Sequence, residues 1–115
     1  MPERKKSLRA DPPAARMVED IVGCKWSLAV LERVRSGVSR PGALEHSLPG
    51  LSTKVLNERL RKLQRYGIVS RTAYPEVPPR VEYALTPFGY KFVQVLDSVA
   101  TLERELAQAR ESVVP

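Results

Sequence analysis

The side chains of this 115-residue sequence that are best placed to do chemistry are hydrogen-bonding and cationic. Ser52, Thr53, Lys54 and Asn57 open a stretch that continues through Arg61 and Arg65. At about 100° per residue, Leu56, Leu60 and Leu63 fall on one side of a helix, while Lys54, Asn57, Glu58, Arg61 and Arg65 fall on the other. Polar groups at the start of such a helix suit the base edges of a DNA major groove, and cations further along suit phosphates. Arg40 and Arg80 lie outside this helix and are expected on the same polyanion.

Nucleophilic and metal chemistry is poorly supplied. One cysteine, Cys24, and one histidine, His46, exclude an intrachain disulfide and a usual structural zinc site. No serine, histidine and aspartate group with a recognisable spacing, and no glycine-rich phosphate loop, is present. Enzymatic activity, a cofactor and a bound metal are therefore not expected. Cys24 beside Lys25 is a candidate redox-active thiol, and Trp26 a candidate wall of an effector pocket. The plainer reading of both is packing.

The chain carries 19 Lys and Arg against 13 Asp and Glu, a net charge of +6. The charge is unevenly spread. Residues 39–80 hold eight bases and three acids, whereas residues 81–115 hold three bases and five acids. That asymmetry suggests a binding middle and a different task for the end. With 43% hydrophobic and 28% charged residues, one compact domain is expected. No apolar run approaches a membrane span, and the start Met1-Pro2-Glu3-Arg4-Lys5-Lys6 lacks the apolar stretch of a signal peptide. A cytoplasmic protein without membrane contact is the expectation.

The elements that must position these residues follow from periodicity and punctuation. Residues 1–13 read as a flexible basic arm closing in Asp11-Pro12-Pro13. Met17, Val18, Ile21 and Val22 mark a first helix stopped by Gly23, and Lys25 to Arg35 a second. Ser39 is a candidate cap for a short third helix, with Pro41 in its first turn and Pro49-Gly50 as the turn after it. Ser52 caps the recognition helix over 52–66, and Gly67 ends it. Two strands within 69–85 flank the proline-rich loop Pro75-Glu76-Val77-Pro78-Pro79, and Thr86-Pro87 starts a last helix. This is a mainly α chain with a small β-ribbon, the layout of a winged helix-turn-helix over 14–97.

Along the last helix, Phe88, Phe92, Val95, Val99, Leu102, Leu106, Ala109 and Val113 repeat at alternating spacings of four and three. Such a seam outruns what a small domain can cover, so residues 87–111 are expected to dimerise, with Phe88 to Leu106 at the interface.

Several stretches carry a resemblance. Ile21-Val22-Gly23-Cys24-Lys25-Trp26, Leu48-Pro49-Gly50-Leu51-Ser52, Leu56-Asn57-Glu58-Arg59-Leu60 and Tyr74 to Pro87 resemble the HxlR-type bacterial transcription regulators, relatives of the MarR group. The resemblance covers roughly residues 13–97 and implies a winged-helix homodimer on operator DNA, with dimer contacts from the terminal helices. Cys24 replaces the second glycine of a frequent Gly-Gly-Lys-Trp stretch, and Pro13 stands where many members of that family carry a cysteine that some use to sense oxidants or electrophiles. The expected protein is thus a dimeric, sequence-specific regulator bound to double-stranded DNA, with any small-molecule effector unknown. A winged-helix module that binds other proteins without reading DNA is the alternative.

Overall fold

The computed structural model describes residues 12–113. Of the basic arm expected over 1–13, all but Pro12 and Pro13 lies outside the described residues, as does the side chain of Val113. Helix α1 (Ala14–Val22) follows Pro13 and turns Met17 and Ile21 inward. Helix α2 (Lys25–Arg35) buries Ser27, Val30, Leu31 and Val34. The short α3 (Pro41–Ser47) carries its proline in the first turn, where the missing N–H costs nothing. Ser39 does not cap it. Arg40 occupies the cap position without a side-chain bond, and the Ser39 carbonyl instead accepts from Tyr83 N–H at 2.8 Å. That bond straps the approach to α3 onto the ribbon.

Helix α4 (Thr53–Arg65) begins where the Ser52 hydroxyl accepts from Val55 N–H at 3.2 Å. Strands β1 (Val69–Tyr74) and β2 (Arg80–Leu85) pair antiparallel, with Val69 opposite Leu85 and Tyr74 opposite Arg80. Thr86 opens α5 (Pro87–Val113), its hydroxyl accepting from Gly89 N–H at 2.8 Å. Gly89 is fixed by closeness: a Cβ there would stand 2.0 Å from the Ile68 carbonyl oxygen. The first turn of α5 is thereby pressed onto the start of the ribbon.

One core holds these elements together. Ile21, Val30, Leu31, Leu44, Leu56, Leu60, Leu63 and Ile68 are essentially sealed from solvent. Burying side chains of this kind contributes about 1.5–3 kcal/mol each. Helix α5 divides into two parts. Phe92, Val93 and Leu96 enter the domain core, Val99 is half-buried, and residues 100–112 are all exposed. Phe92, at 3% exposure, therefore packs inside its own chain, contrary to its expected place at the dimer interface. A 3–4 spacing marks a buried stripe without saying which body covers it.

Candidate nucleic-acid interface

Helix α3, the turn at Pro49-Gly50 and helix α4 form the corner of the site. Gly50 has φ +94°, a left-handed value that suits glycine, and a Cβ there would lie 3.8 Å from the Trp26 ring. Trp26 is half-buried against the core and backs this turn, which is the packing alternative for that residue. The Lys25 ammonium sits 5.5 Å from the centre of its ring.

Two of the expected base-reading hydroxyls already have work inside the chain. Ser52 caps α4, and the Thr53 hydroxyl donates to the Glu45 carboxylate of α3. Ser52 and Thr53 thus fix the angle between α3 and α4. Lys54, Asn57, Arg61 and Arg65 are exposed on the outer face of α4, opposite Leu56, Leu60 and Leu63. Among the described residues, none of Lys54, Arg61 and Arg65 enters an ion pair. Arg65 lies 5.8 Å from the Tyr66 ring centre, and Glu58 is an exposed acid amid these bases.

The inner flank of α4 is braced. Tyr66 donates its phenolic hydrogen to Asp20 of α1, and Lys62 stands 3.2 Å from the same carboxylate. The Tyr66 hydrogen bond is the main cause holding Asp20 below its usual pKa, with Lys62 and Arg16 adding to it against a smaller opposing cost of burial. The Tyr66 phenol is raised, chiefly because ionisation would lose its bond to Asp20. Arg59 is half-buried beside this flank, and its Nε makes no hydrogen bond.

At the ribbon, Arg80 also has partners inside the chain. Its guanidinium stacks 4.0 Å from the Tyr74 ring centre and pairs with Glu76 at 3.0 Å and Glu82 at 3.6 Å. Two carboxylates and an aromatic face hold that charge, so Arg80 acts first as the brace of the wing. Its neighbour across the gap, Arg40, is more exposed and meets Glu82 at 3.7 Å. Arg71, exposed on β1 and in no ion pair among the described residues, is the uncommitted cation of the wing. It was legible in the sequence only as one basic residue of the central block.

Along α5, the seam residues Phe88, Val95, Leu102 and Leu106 are between 41% and 64% exposed. An apolar groove lined by Ala14, Ala15, Val18, Phe88, Phe92 and Val95 runs between α1 and the base of α5. Among the described residues, no group of three or more His, Cys, Asp and Glu could hold a metal ion. No described helix is long and apolar enough to cross a membrane.

A helix-turn-helix with a two-stranded ribbon on its flank, presenting a cationic outer helix, defines the winged helix-turn-helix class. Residues 21–111 match the HxlR-like helix-turn-helix family, and the chain belongs to it. An uncharacterised HTH-type transcriptional regulator of Synechocystis is 49% identical over 79 residues, 69% of this chain and 58% of that one. The uncharacterised HTH-type transcriptional regulator YtfH of Escherichia coli is 38% identical over 96 residues, 84% of this chain and 74% of that one. The chain spans 58% to 62% of the length of the first three such relatives. Among solved structures, one described as a MarR-family transcriptional regulator from Enterococcus faecalis superposes with a TM-score of 0.76 at 33% identity. That match covers 86% of this chain and 90% of the other. The reduced form of the transcriptional regulator YodB from Bacillus subtilis gives 0.68 at 28% identity, covering 78% and 88%.

Proposed function

We propose that the chain is a transcription regulator that binds operator DNA as a homodimer. The observation that carries this reading is the outer face of α4, where Lys54, Asn57, Arg61 and Arg65 stand exposed behind a sharp, buttressed corner. A major groove admits one helix, and side chains near that helix's start reach base edges. Lys54 and Asn57 read bases, while Arg61, Arg65, Arg40 and Arg71 neutralise phosphates. Ser52 and Thr53 set the helix angle, and Arg80 keeps the wing in shape for its backbone contact.

The second half of the proposal concerns the exposed stripe of α5 and the groove beside α1. A second copy covers both: its α5 lies along Phe88, Val95, Val99, Leu102 and Leu106. A two-fold pair would place two α4 helices on half-sites about one helical turn of DNA apart. The names of the relatives support the regulatory role, and location in the cytoplasm follows from it.

A binding titration with fluorescent duplex DNA across a salt series tests the reading. Affinity is expected to fall steeply as salt rises, because neutralised phosphates release counterions. A protein that fails to bind any duplex at low salt would leave the protein-interaction module as the function.

A further inference from the structure

Helix α4 carries a second cationic surface on its inner flank, where Lys62 meets Asp20 of α1. A cleft of about 440 Å³ runs along this flank, lined by Glu58, Arg59, Arg61, Lys62 and Arg65. All five sit on one helix, so its geometry fixes their spacing. Arg59 and Lys62 are three residues apart, as are Lys62 and Arg65, and Arg61 and Arg65 are four apart. Side chains at those separations are surface neighbours, and like charges there repel. Glu58 offsets little of this, for it enters no ion pair among the described residues. An anion in the cleft would relieve the repulsion.

Arg59 is the least satisfied of the four bases. Its Nε is buried without a hydrogen bond, and its guanidinium enters no ion pair among the described residues. A buried N–H without an acceptor is costly, and the planar fork of a guanidinium matches the oxygens of a phosphoryl group. Lys62 is tethered at the cleft edge, 3.2 Å from the Asp20 carboxylate that also accepts from Tyr66. Arg65 is steadied 5.8 Å from the Tyr66 ring centre. Four bases to one acid call for a ligand with several negative charges. No aromatic or aliphatic side chain lines the cleft, so nothing in it would stack a base or bury a hydrocarbon. The chemistry on offer is that of phosphoryl groups.

We propose that the inner flank of α4, around Arg59, Lys62 and Arg65, is a phosphate-holding site that takes a run of consecutive phosphoryl groups. It is distinct from the base-reading positions Lys54 and Asn57. The phosphoryl groups have two possible sources, the backbone of a duplex beside the groove that α4 enters and a free polyphosphate chain. The duplex source rests on the reading of the chain as a DNA-binding regulator, and the free source does not. Arg59 and Lys62 are the residues that this site adds to the phosphate contacts of Arg61 and Arg65.

The test has two arms, both with the whole chain and with Arg59→Gln, Lys62→Gln and Arg110→Gln, each checked for native circular dichroism. Arg110 is an exposed base of α5, so its variant controls for the loss of one charge anywhere on the chain. Calorimetric titration with inorganic tripolyphosphate at low salt reads the free source. Titration of fluorescent duplex across a salt series reads the backbone source. Arg59→Gln and Lys62→Gln are each expected to weaken tripolyphosphate about fivefold, or to lower the duplex salt slope by about one, with Arg110→Gln unchanged. A loss in the first arm assigns a free polyphosphate, and a loss in the second alone assigns the DNA backbone. A chain that binds no duplex fails as a DNA-binding regulator, and the tripolyphosphate arm alone then decides the site. Folded Arg59 and Lys62 variants that match wild type in both arms overturn the proposal, as does an Arg110→Gln loss equal to theirs.

Discussion

Arg35 and Asp97 meet in a two-pronged ion pair, with guanidinium nitrogens 2.8 and 2.7 Å from the two carboxylate oxygens. Arg35 ends α2, and Asp97 lies on α5 just past Leu96, the last buried residue of that helix. The pair thus fastens the projecting arm to the helix-turn-helix where packing stops. Asp97 is held below its usual pKa mainly by the Arg35 hydrogen bond, and Arg35 is held above its own by Asp97. Both side chains are well solvated, so the contact is better understood as setting the direction of α5 than as a source of stability.

Lys54→Ala with Asn57→Ala is expected to erase operator preference and leave the fold and the dimer unchanged. Both residues are exposed, opposite the buried Leu56, Leu60 and Leu63 of α4, so their loss removes readout alone. A good base contact is worth about 1–3 kcal/mol of discrimination. Competition between operator and random duplex measures it; unchanged preference would place readout on another element.

Arg71 and Arg80 are expected to separate into different phenotypes although both are wing arginines. Arg71→Ala, removing an uncommitted cation, should lower affinity for all duplexes alike and reduce the salt slope by about one. Arg80→Ala takes away the stack on Tyr74 and leaves Glu76 and Glu82 without their shared cation. A cation–π contact of this kind is worth about 0.5–2 kcal/mol, so its main readout is faster amide exchange along β1 and β2. Equal salt-slope losses with equal exchange rates would contradict the division.

The contrast between these arginines shows where the sequence stops informing. Helix positions, the ribbon and the turn at Gly50 were all legible, because apolar periodicity, proline and glycine act locally. The outer face of α4 was legible for the same reason. Arg80 was legible as a cation of the wing but its partners were not: Tyr74, Glu76 and Glu82 assemble around it only when the ribbon pairs Tyr74 with Arg80. Thr53 hides its partner Glu45 across the corner, and Ser39 bonds Tyr83 far along the chain. Phe92 and Leu102 obey one spacing, yet one is buried in the domain and the other is 64% exposed. Non-local geometry decided each of these.

Stability should depend on pH through Asp20. Its folded pKa lies below the ordinary 3.8, so its contribution is fully present above that value and is lost as pH falls through the folded pKa. Tyr66 has the opposite limb: its raised pKa means stability is kept below its ordinary 10.0 and lost as pH rises beyond it. Urea denaturation midpoints of wild type and Asp20→Asn, taken from acid to alkaline pH, check both limbs. Asp20→Asn is expected to flatten the acid limb and to weaken the alkaline one. Parallel curves for the two proteins would remove the Asp20–Tyr66–Lys62 group from the pH response.

The last expectation concerns the arm. Leu102→Glu with Leu106→Glu should yield soluble monomers, because both side chains are exposed in the single chain and hold nothing of its own core. Burial of each in a dimer contributes about 1.5–3 kcal/mol, and a carboxylate in its place adds a desolvation cost. The division of α5 at Leu96 makes the comparison sharp. Phe92→Glu strikes the domain core and should unfold the chain, whereas the distal pair should spare its thermal transition apart from loss of concentration dependence. Sedimentation velocity reads the mass, and DNA titration of the monomer should show weakened binding, since one α4 reaches a single half-site. A double variant that still sediments as a dimer and binds operator at full strength would place the two-fold contact elsewhere than the distal half of α5.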